Sequence, residues 1–185
     1  MKTMKVKELM VPLAEYATVP KSATLYDAVM ALEKAQMEFD NTNKYQHRAI
    51  LVYDGEQHNI VGKVSQLDIL RSLEPKYDEM LGKGSSRYGF GRQFQKTMLE
   101  QFRLWDLPLR DICQKVASVH IKDFMYKPGE GEYVEAEASL NEAIHQLVMG
   151  SHQSLIVVDN KRIVGVLRQT DVFMAVFQEI ASCKP

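Results

Sequence analysis

The chain is short of cysteine, of long apolar runs and of net charge, and each shortage removes a class of protein. Only two cysteines occur in 185 residues, Cys113 and Cys183, and they lie in unrelated segments without C-x-x-C spacing. That excludes a disulfide scaffold and reads as incidental thiols in a reducing cytosol. The five histidines (His47, His58, His120, His145, His152) form no H-x-x-x-H pair and have no cysteine at ligand spacing, so no metal site is expected. No apolar stretch approaches the ~18 residues of a membrane helix. Met1–Lys5 leads into an amphipathic segment, so no signal peptide is expected and the reading is cytoplasmic. A formal net charge of −1 gives no general attraction to nucleic acid or anionic lipid, so any basic site has to be local. What is present, 45% hydrophobic and 25% charged residues, suits a globular protein of one or two domains with a buried core.

The informative feature is an internal repeat. Val6-Lys7-Glu8-Leu9-Met10 returns as Ile121-Lys122-Asp123-Phe124-Met125, an offset of 115. The same offset sets Val19 on Val134, Thr24-Leu25 on Ser139-Leu140, Asp27-Ala28 on Glu142-Ala143 and Leu32 on Leu147. It then falls to 105, where Ile50-Leu51-Val52-Tyr53-Asp54 matches Leu155-Ile156-Val157-Val158-Asp159, and to 103, where Ile60-Val61-Gly62 matches Ile163-Val164-Gly165. Repeat 1 therefore carries extra residues near Gln36 to Gln46 and in the Gly55 to Asn59 turn, where insertions do least harm.

Each copy has the same local grammar. Thr24-x-x-Asp27 and Ser139-x-x-Glu142 are capping boxes, and behind them Leu25, Ala28, Val29, Leu32 and Leu140, Ala143, Ile144, Leu147 recur at helical spacing. Short aliphatic strands follow at Ala49 to Tyr53 and Leu155 to Val158, each ending in a turn at Asp54-Gly55 or Asp159-Asn160. Second strands at Ile60 to Val64 and Ile163 to Leu167 complete hairpins, and closing helices begin near Gln66 and Thr170. The expected fold class is α/β, with strand-helix-strand-strand-helix in residues 4–73 and again in 119–180.

The opening Leu9-Met10 and Phe124-Met125, the aliphatic strand before an acidic turn, and a G-h-h-[ST]-x-x-D-h signature together resemble the CBS domain. Repeat 1 keeps the signature as Gly62-Lys63-Val64-Ser65-Gln66-Leu67-Asp68-Ile69, whereas repeat 2 reads Gly165-Val166-Leu167-Arg168-Gln169-Thr170-Asp171-Val172, with Arg168 at the hydroxyl position. The resemblance implies two repeats packed about a pseudo-two-fold axis as a Bateman module with two clefts. It also implies disc-like homodimers and a ligand such as AMP, ADP, ATP or S-adenosylmethionine, with no cofactor required.

Site residues follow from the same resemblance. Asp68 and Asp171 would accept hydrogen bonds from ribose hydroxyls, and Ser65 would meet a phosphate or ribose near the start of a helix. Backbone groups near Thr18-Val19 and Ala49-Ile50 would read the adenine edge, as would those near Tyr133-Val134 and Ser154-Leu155 in repeat 2. Ser65 and Asp68 also form an S-x-x-D capping box and could do no more than start a helix. Arg168 could bind phosphate, or fill the cleft and pair with Asp171. Thr170 could be a displaced hydroxyl or an ordinary helix residue. His47 and His152 occupy equivalent positions before the central strands, where each could touch a phosphate or be an exposed loop histidine. Gly62 and Gly165 are read as places where a strand is closely approached or bends.

Residues 74–118 match neither repeat and are expected to form a loop-and-helix insertion. Pro75 would end the first closing helix, Gly82 to Gly91 would be a loop without a Walker A pattern, and Gln93 to Leu107 would be helical up to Pro108. Lys83, Arg87, Arg92, Lys96 and Arg103 with Tyr88, Phe90 and Phe94 could bind a nucleic-acid strand, but a helix packed on the module with a solvated basic face is the simpler reading. No nucleophile–base pair, paired acids or metal spacing points to an enzyme. The reading is a regulatory module that senses an adenosyl ligand and signals to a separate regulated protein; the alternative is a structural or oligomerisation module with empty clefts.

Overall fold

Thr24 and Asp27 start the first long helix through three reciprocal bonds. The Thr24 N–H and hydroxyl each donate to the Asp27 carboxylate at 2.8 Å, and the Asp27 N–H donates back to the Thr24 hydroxyl oxygen at 3.2 Å. In repeat 2 the Ser139 hydroxyl oxygen accepts from the Glu142 N–H at 3.2 Å. The helices so begun are α1 (Leu25–Glu38) and α6 (Leu140–Met149). Each buries one stripe, Leu25, Ala28 and Leu32 in the first and Leu140, Ala143 and Leu147 in the second. Val29, read as part of that stripe, is exposed.

The structure, a computed structural model, describes residues 4–38, 47–55, 59–73, 92–101 and 112–182. In repeat 1, β2 (Thr18–Pro20) runs parallel to β3 (Ala49–Asp54), with α1 as the crossover that a parallel pair needs, and β3 turns antiparallel into β4 (Asn59–Ser65). In repeat 2, β5 (Tyr133–Glu135), β6 (Ser154–Asp159) and β7 (Arg162–Arg168) repeat this register. Both hairpins carry a register shift at the equivalent step, Val52/Tyr53 and Val157/Val158. The closing helices are α2 (Gln66–Ser72) and α7 (Gln169–Ser182). The chain is thus two α/β repeats of one topology about a pseudo-two-fold axis.

Each repeat lends its leading segment to the other. β1 (Val11–Pro12) lies antiparallel on β7 as the fourth strand of the repeat 2 sheet, and Tyr126, its equivalent, bridges Lys63 in β4. The capping contacts are also exchanged: the Leu25 N–H donates to the Val119 carbonyl at 2.8 Å, and the Leu140 N–H to the Met4 carbonyl at 2.9 Å. One hydrophobic core accordingly joins Val6 to Val134, Leu140, Leu155 and Leu167, and the other joins Ile121 to Val19, Ala28, Ile50 and Val64. A third cluster, Val11, Tyr16, Leu51 and Val166, lies between the two sheets.

The crossing explains the two signature glycines. A Cβ on Gly165 would stand 2.5 Å from the Val11 carbonyl oxygen, and one on Gly62 would stand 3.0 Å from both the Tyr126 carbonyl oxygen and the Met125 sulfur. Their bare backbone admits the partner repeat's strand.

Within the insertion, α3 (Arg92–Gln101) and α4 (Ile112–Ser118) are helical, and α4 packs against α1. The α4 helix was not expected from the sequence. A short turn of helix, α5 (Ile121–Phe124), follows it. Pro75, the Gly82 to Gly91 loop, Trp105 and Pro108 lie outside the described residues.

Candidate functional site: the faces between the repeats

Strand alternation divides the sequence-derived site residues into two groups. Val19, Ile50, Val134 and Leu155 point into the helix-covered cores, so only their backbone is available to a ligand. Thr18, Ala49 and Ser65 in repeat 1, with Tyr133, Ser154 and Arg168 in repeat 2, stand on the opposite faces, where Leu51 and Val166 meet between the sheets. Ala49 is the register partner of Ser65, and Ser154 that of Arg168, so each set converges at one end of its own sheet.

Ser65 caps α2. Its N–H and hydroxyl donate to the Asp68 carboxylate at 2.8 and 2.6 Å, and the Asp68 N–H donates to the Ser65 oxygen at 3.2 Å. The S-x-x-D spacing therefore makes the reciprocal box that it spells, while both residues keep partial exposure. In repeat 2 the long Arg168 side chain replaces this arrangement with a fork. Its Nε and Nη2 donate to the two Asp171 oxygens at 2.5 and 2.6 Å, a bidentate charge-assisted pair. Of the two readings open for Arg168, the pairing with Asp171 is the one observed. Thr170 is partly exposed in the first turn of α7.

The Arg168–Asp171 pair faces residues of repeat 1 that the sequence reading missed or misjudged. Tyr16 packs with Val166, which shares a strand face with Arg168, and the Tyr16 and His47 rings meet edge-on with centroids 4.7 Å apart. His47, for which an exposed loop position was one reading, is buried. Burial pushes its imidazole below the usual histidine range and the Arg168 charge adds to this, with Asp171 opposing. Burial likewise pushes the Tyr16 phenol up to about 12, with Arg168 working against it and Asp171 with it. A cavity of about 440 Å³ opens beside this cluster, lined by Tyr16, Ala17, Thr18, Lys34 and His47 among others. Among the described residues, Thr18 and His47 are the sequence-derived candidates that line it.

The other face holds a buried ion pair. Lys63, two residues before Ser65 and on the same side of β4, donates to Glu132 at 2.6 Å, and the Tyr126 hydroxyl donates to the same carboxylate. The Lys63 ammonium also lies 5.2 Å from the Tyr126 ring centroid. Burial alone would raise the Glu132 carboxyl, but the Lys63 ammonium, the Tyr126 hydroxyl and the Gly129 N–H outweigh it and hold the group below its ordinary value. Next to Glu132, the Tyr133 carbonyl already accepts from Gln146 at 3.0 Å. A signal for this pair was present: Lys63 is a charge at a hydrophobic position of the signature, where repeat 2 has Val166, and Glu132 replaces Ala17. His152 is partly exposed on this side, near Gly131.

Among the described residues no group of three or more His, Cys, Asp or Glu side chains could hold a metal ion, and no helix is long and apolar enough to cross a membrane.

The comparisons with known proteins agree with one another. No curated protein matches the chain by sequence. Among solved structures, a CBS domain-containing protein of unknown function from Bacillus anthracis superposes with a TM-score of 0.61 at 16% identity, covering 96% of each chain. CBSX2 in complex with AMP gives 0.58 at 20% identity, covering 95% of this chain and 98% of that one. The CBS domain of a bacterial CNNM/CorC family Mg2+ transporter in complex with ATP gives 0.60 at 16%, covering 95% and 89%. The CBS domain profile itself matches residues 6–75 and 116–178. With one repeated topology, exchanged leading segments and a profile match over each copy, the chain belongs to the CBS-domain family as a tandem pair.

Proposed function

We propose that the chain is a non-catalytic regulatory module that binds an adenine nucleotide or related adenosyl ligand in one of its two clefts and signals to a separate regulated protein. The observation that carries the reading is the inequality of the clefts. On the Ser65 side a hydroxyl and a carboxylate are partly open. On the other, Arg168 locks Asp171, and the buried Tyr16 and His47 lie near enough to feel the charges of both. Asp68 would accept the ribose hydroxyls and Ser65 would meet the ribose or phosphate, with Tyr133 and Ser154 supplying the facing wall. Similar folds bound to AMP and to ATP support the ligand class. The ligand acts as a switch if it favours one arrangement of the repeats.

Calorimetry with AMP, ADP, ATP and S-adenosylmethionine tests this. We expect one equivalent of one of these ligands to bind, with Asp68→Ala weakening it while leaving the unfolding temperature within a few degrees of wild type. If no ligand in the series binds or stabilises the native state, the sensor reading fails.

The second reading is a structural or oligomerisation module with empty clefts. It is favoured by the Asp68 carboxylate, which already accepts the Ser65 N–H and O–H. In either reading the chain is proposed to act in the cytosol as a homodimer. The closing helices support self-association: Leu67 and Leu70 on α2 and Phe173, Phe177 and Ile180 on α7 are more than half exposed. Leu70 and Phe173 occupy equivalent positions of the two repeats, so the surface has the internal two-fold character that an isologous dimer uses.

A further inference from the structure

The two ends of the module that carry the hairpin turns are built from equivalent residues but differ in charge. At the repeat 2 end, Lys7 donates to Glu137 at 2.5 Å and Lys5 donates to the Glu137 main-chain carbonyl at 2.8 Å. Glu135, Asp159 and Lys161 of the hairpin turn belong to the same end, so three carboxylates stand there with three lysines. The 115-residue offset carries Lys5 to His120, Lys7 to Lys122, Glu137 to Ser22, Glu135 to Pro20 and Ala136 to Lys21. At the repeat 1 end two acids are therefore gone while these positions keep two lysines, Lys21 and Lys122.

These residues surround a cavity. Lys21, Ser22, Asp54, His120 and Lys122 are among the residues lining an open pocket of about 540 Å³ between the turn end of the repeat 1 sheet and the leading segment lent by repeat 2. Among the described residues its one carboxylate, Asp54, is held by Lys21 at 2.9 Å, which also fixes that ammonium at the wall. Among the described residues no hydrogen bond or ion pair engages the Lys122 side chain, whose equivalent Lys7 is neutralised by the acid that Ser22 replaces. Besides Asp54, which Lys21 holds, the polar side chains of the lining include two ammoniums, the Ser22 hydroxyl and an imidazole, all able to donate.

We propose that this cavity is an anion site that takes a phosphate monoester, with Lys122 and Ser22 as its main contacts and Lys21 and His120 flanking them. Oxygens that only accept match a wall of donors, and the volume exceeds a bare phosphate and leaves room for a small attached group. The cavity lies at the Asp54 end of β3, the opposite end of that six-residue strand from Ala49, so it is separate from the clefts.

The test is an amide chemical-shift titration of the whole protein with inorganic phosphate, with glycerol phosphate and with AMP, each at ionic strength matched by sodium chloride. We expect saturable shifts confined to residues 20–23 and 119–122, and tighter binding of glycerol phosphate than of inorganic phosphate. Ser22→Glu, which copies the acid of the other end, and Lys122→Ala should each weaken binding about tenfold or more. Lys7→Ala should leave it unchanged. Binding equal in wild type and Ser22→Glu, an equal effect of Lys7→Ala, or no saturation in the low millimolar range overturns the proposal. AMP shifts confined to the cleft, with glycerol phosphate still binding here, would support a site for monoesters whose attached group is smaller than adenosine.

Discussion

Lys63 and Glu132, 69 residues apart in the chain, meet at 2.6 Å with the carboxylate almost wholly buried between the two repeats. Such a pair is costly to break from one side, because the surviving charge stays buried without its counterion. Glu132→Gln or Lys63→Met should each lower the unfolding free energy by about 3 kcal/mol, and the double variant Lys63→Met with Glu132→Leu should recover much of that loss. Urea denaturation of the three variants checks this; equal additive losses would mean the pair is not coupled.

The same carboxylate gives an acid limb to stability. Its folded pKa lies below the unfolded value, so its contribution is complete above the ordinary glutamate range and is lost as pH falls through the folded value. Melting temperature should decline on acidification below about pH 4.5, and Glu132→Gln should flatten that decline.

His47 adds a separate dependence at milder pH. Its folded pKa is depressed, so the unfolded chain binds the proton more readily, and the stability it contributes is complete above about pH 6.5 and falls as pH drops below that. Melting curves between pH 7.5 and 5 should show this loss in wild type and not in His47→Gln, measured over roughly that window. A parallel decline in the variant would assign the effect to other groups.

Gly165→Ala should be more destabilising than Gly62→Ala. The added methyl at residue 165 meets a main-chain oxygen at 2.5 Å, whereas at residue 62 its contacts start at 3.0 Å and one of them is a flexible methionine sulfur. A cost of about 1–3 kcal/mol is expected for the first, with a smaller one for the second. Thermal melts of the two variants decide the order.

Arg168→Ser restores to repeat 2 the hydroxyl that repeat 1 has in its signature and releases Asp171 from its fork. On the proposed sensor reading, calorimetry of this variant should approach two equivalents of the adenosyl ligand where wild type takes one. A stoichiometry that stays at one would show that Tyr16 and His47 suffice to close that cleft.

Much of this architecture was legible because a duplication lets one copy interpret the other. The helix starts at Thr24 and Ser139 and the hairpins at Asp54 and Asp159 follow from side chains that act within a few residues of themselves. The exchange of leading segments was not legible, since Val11 and Tyr126 pair with strands far away in sequence. His47 was misjudged for a similar reason: its surroundings include Tyr16, distant in sequence, and the charge of Arg168 in the other repeat. The Lys63–Glu132 pair did leave a trace, a charge where the signature asks for an apolar residue, but naming its partner required the fold.

The exchanged segments also set the order in which the molecule can be finished. Residues 4–12 are synthesised well before β7, the strand that receives them, so in the interval Val6 and Val11 have no sheet to join. The repeat 1 core in turn waits for Ile121 before it is closed. Neither half can mature as an independent early unit, and these long-range closures point to slow, late and concerted folding of the pair.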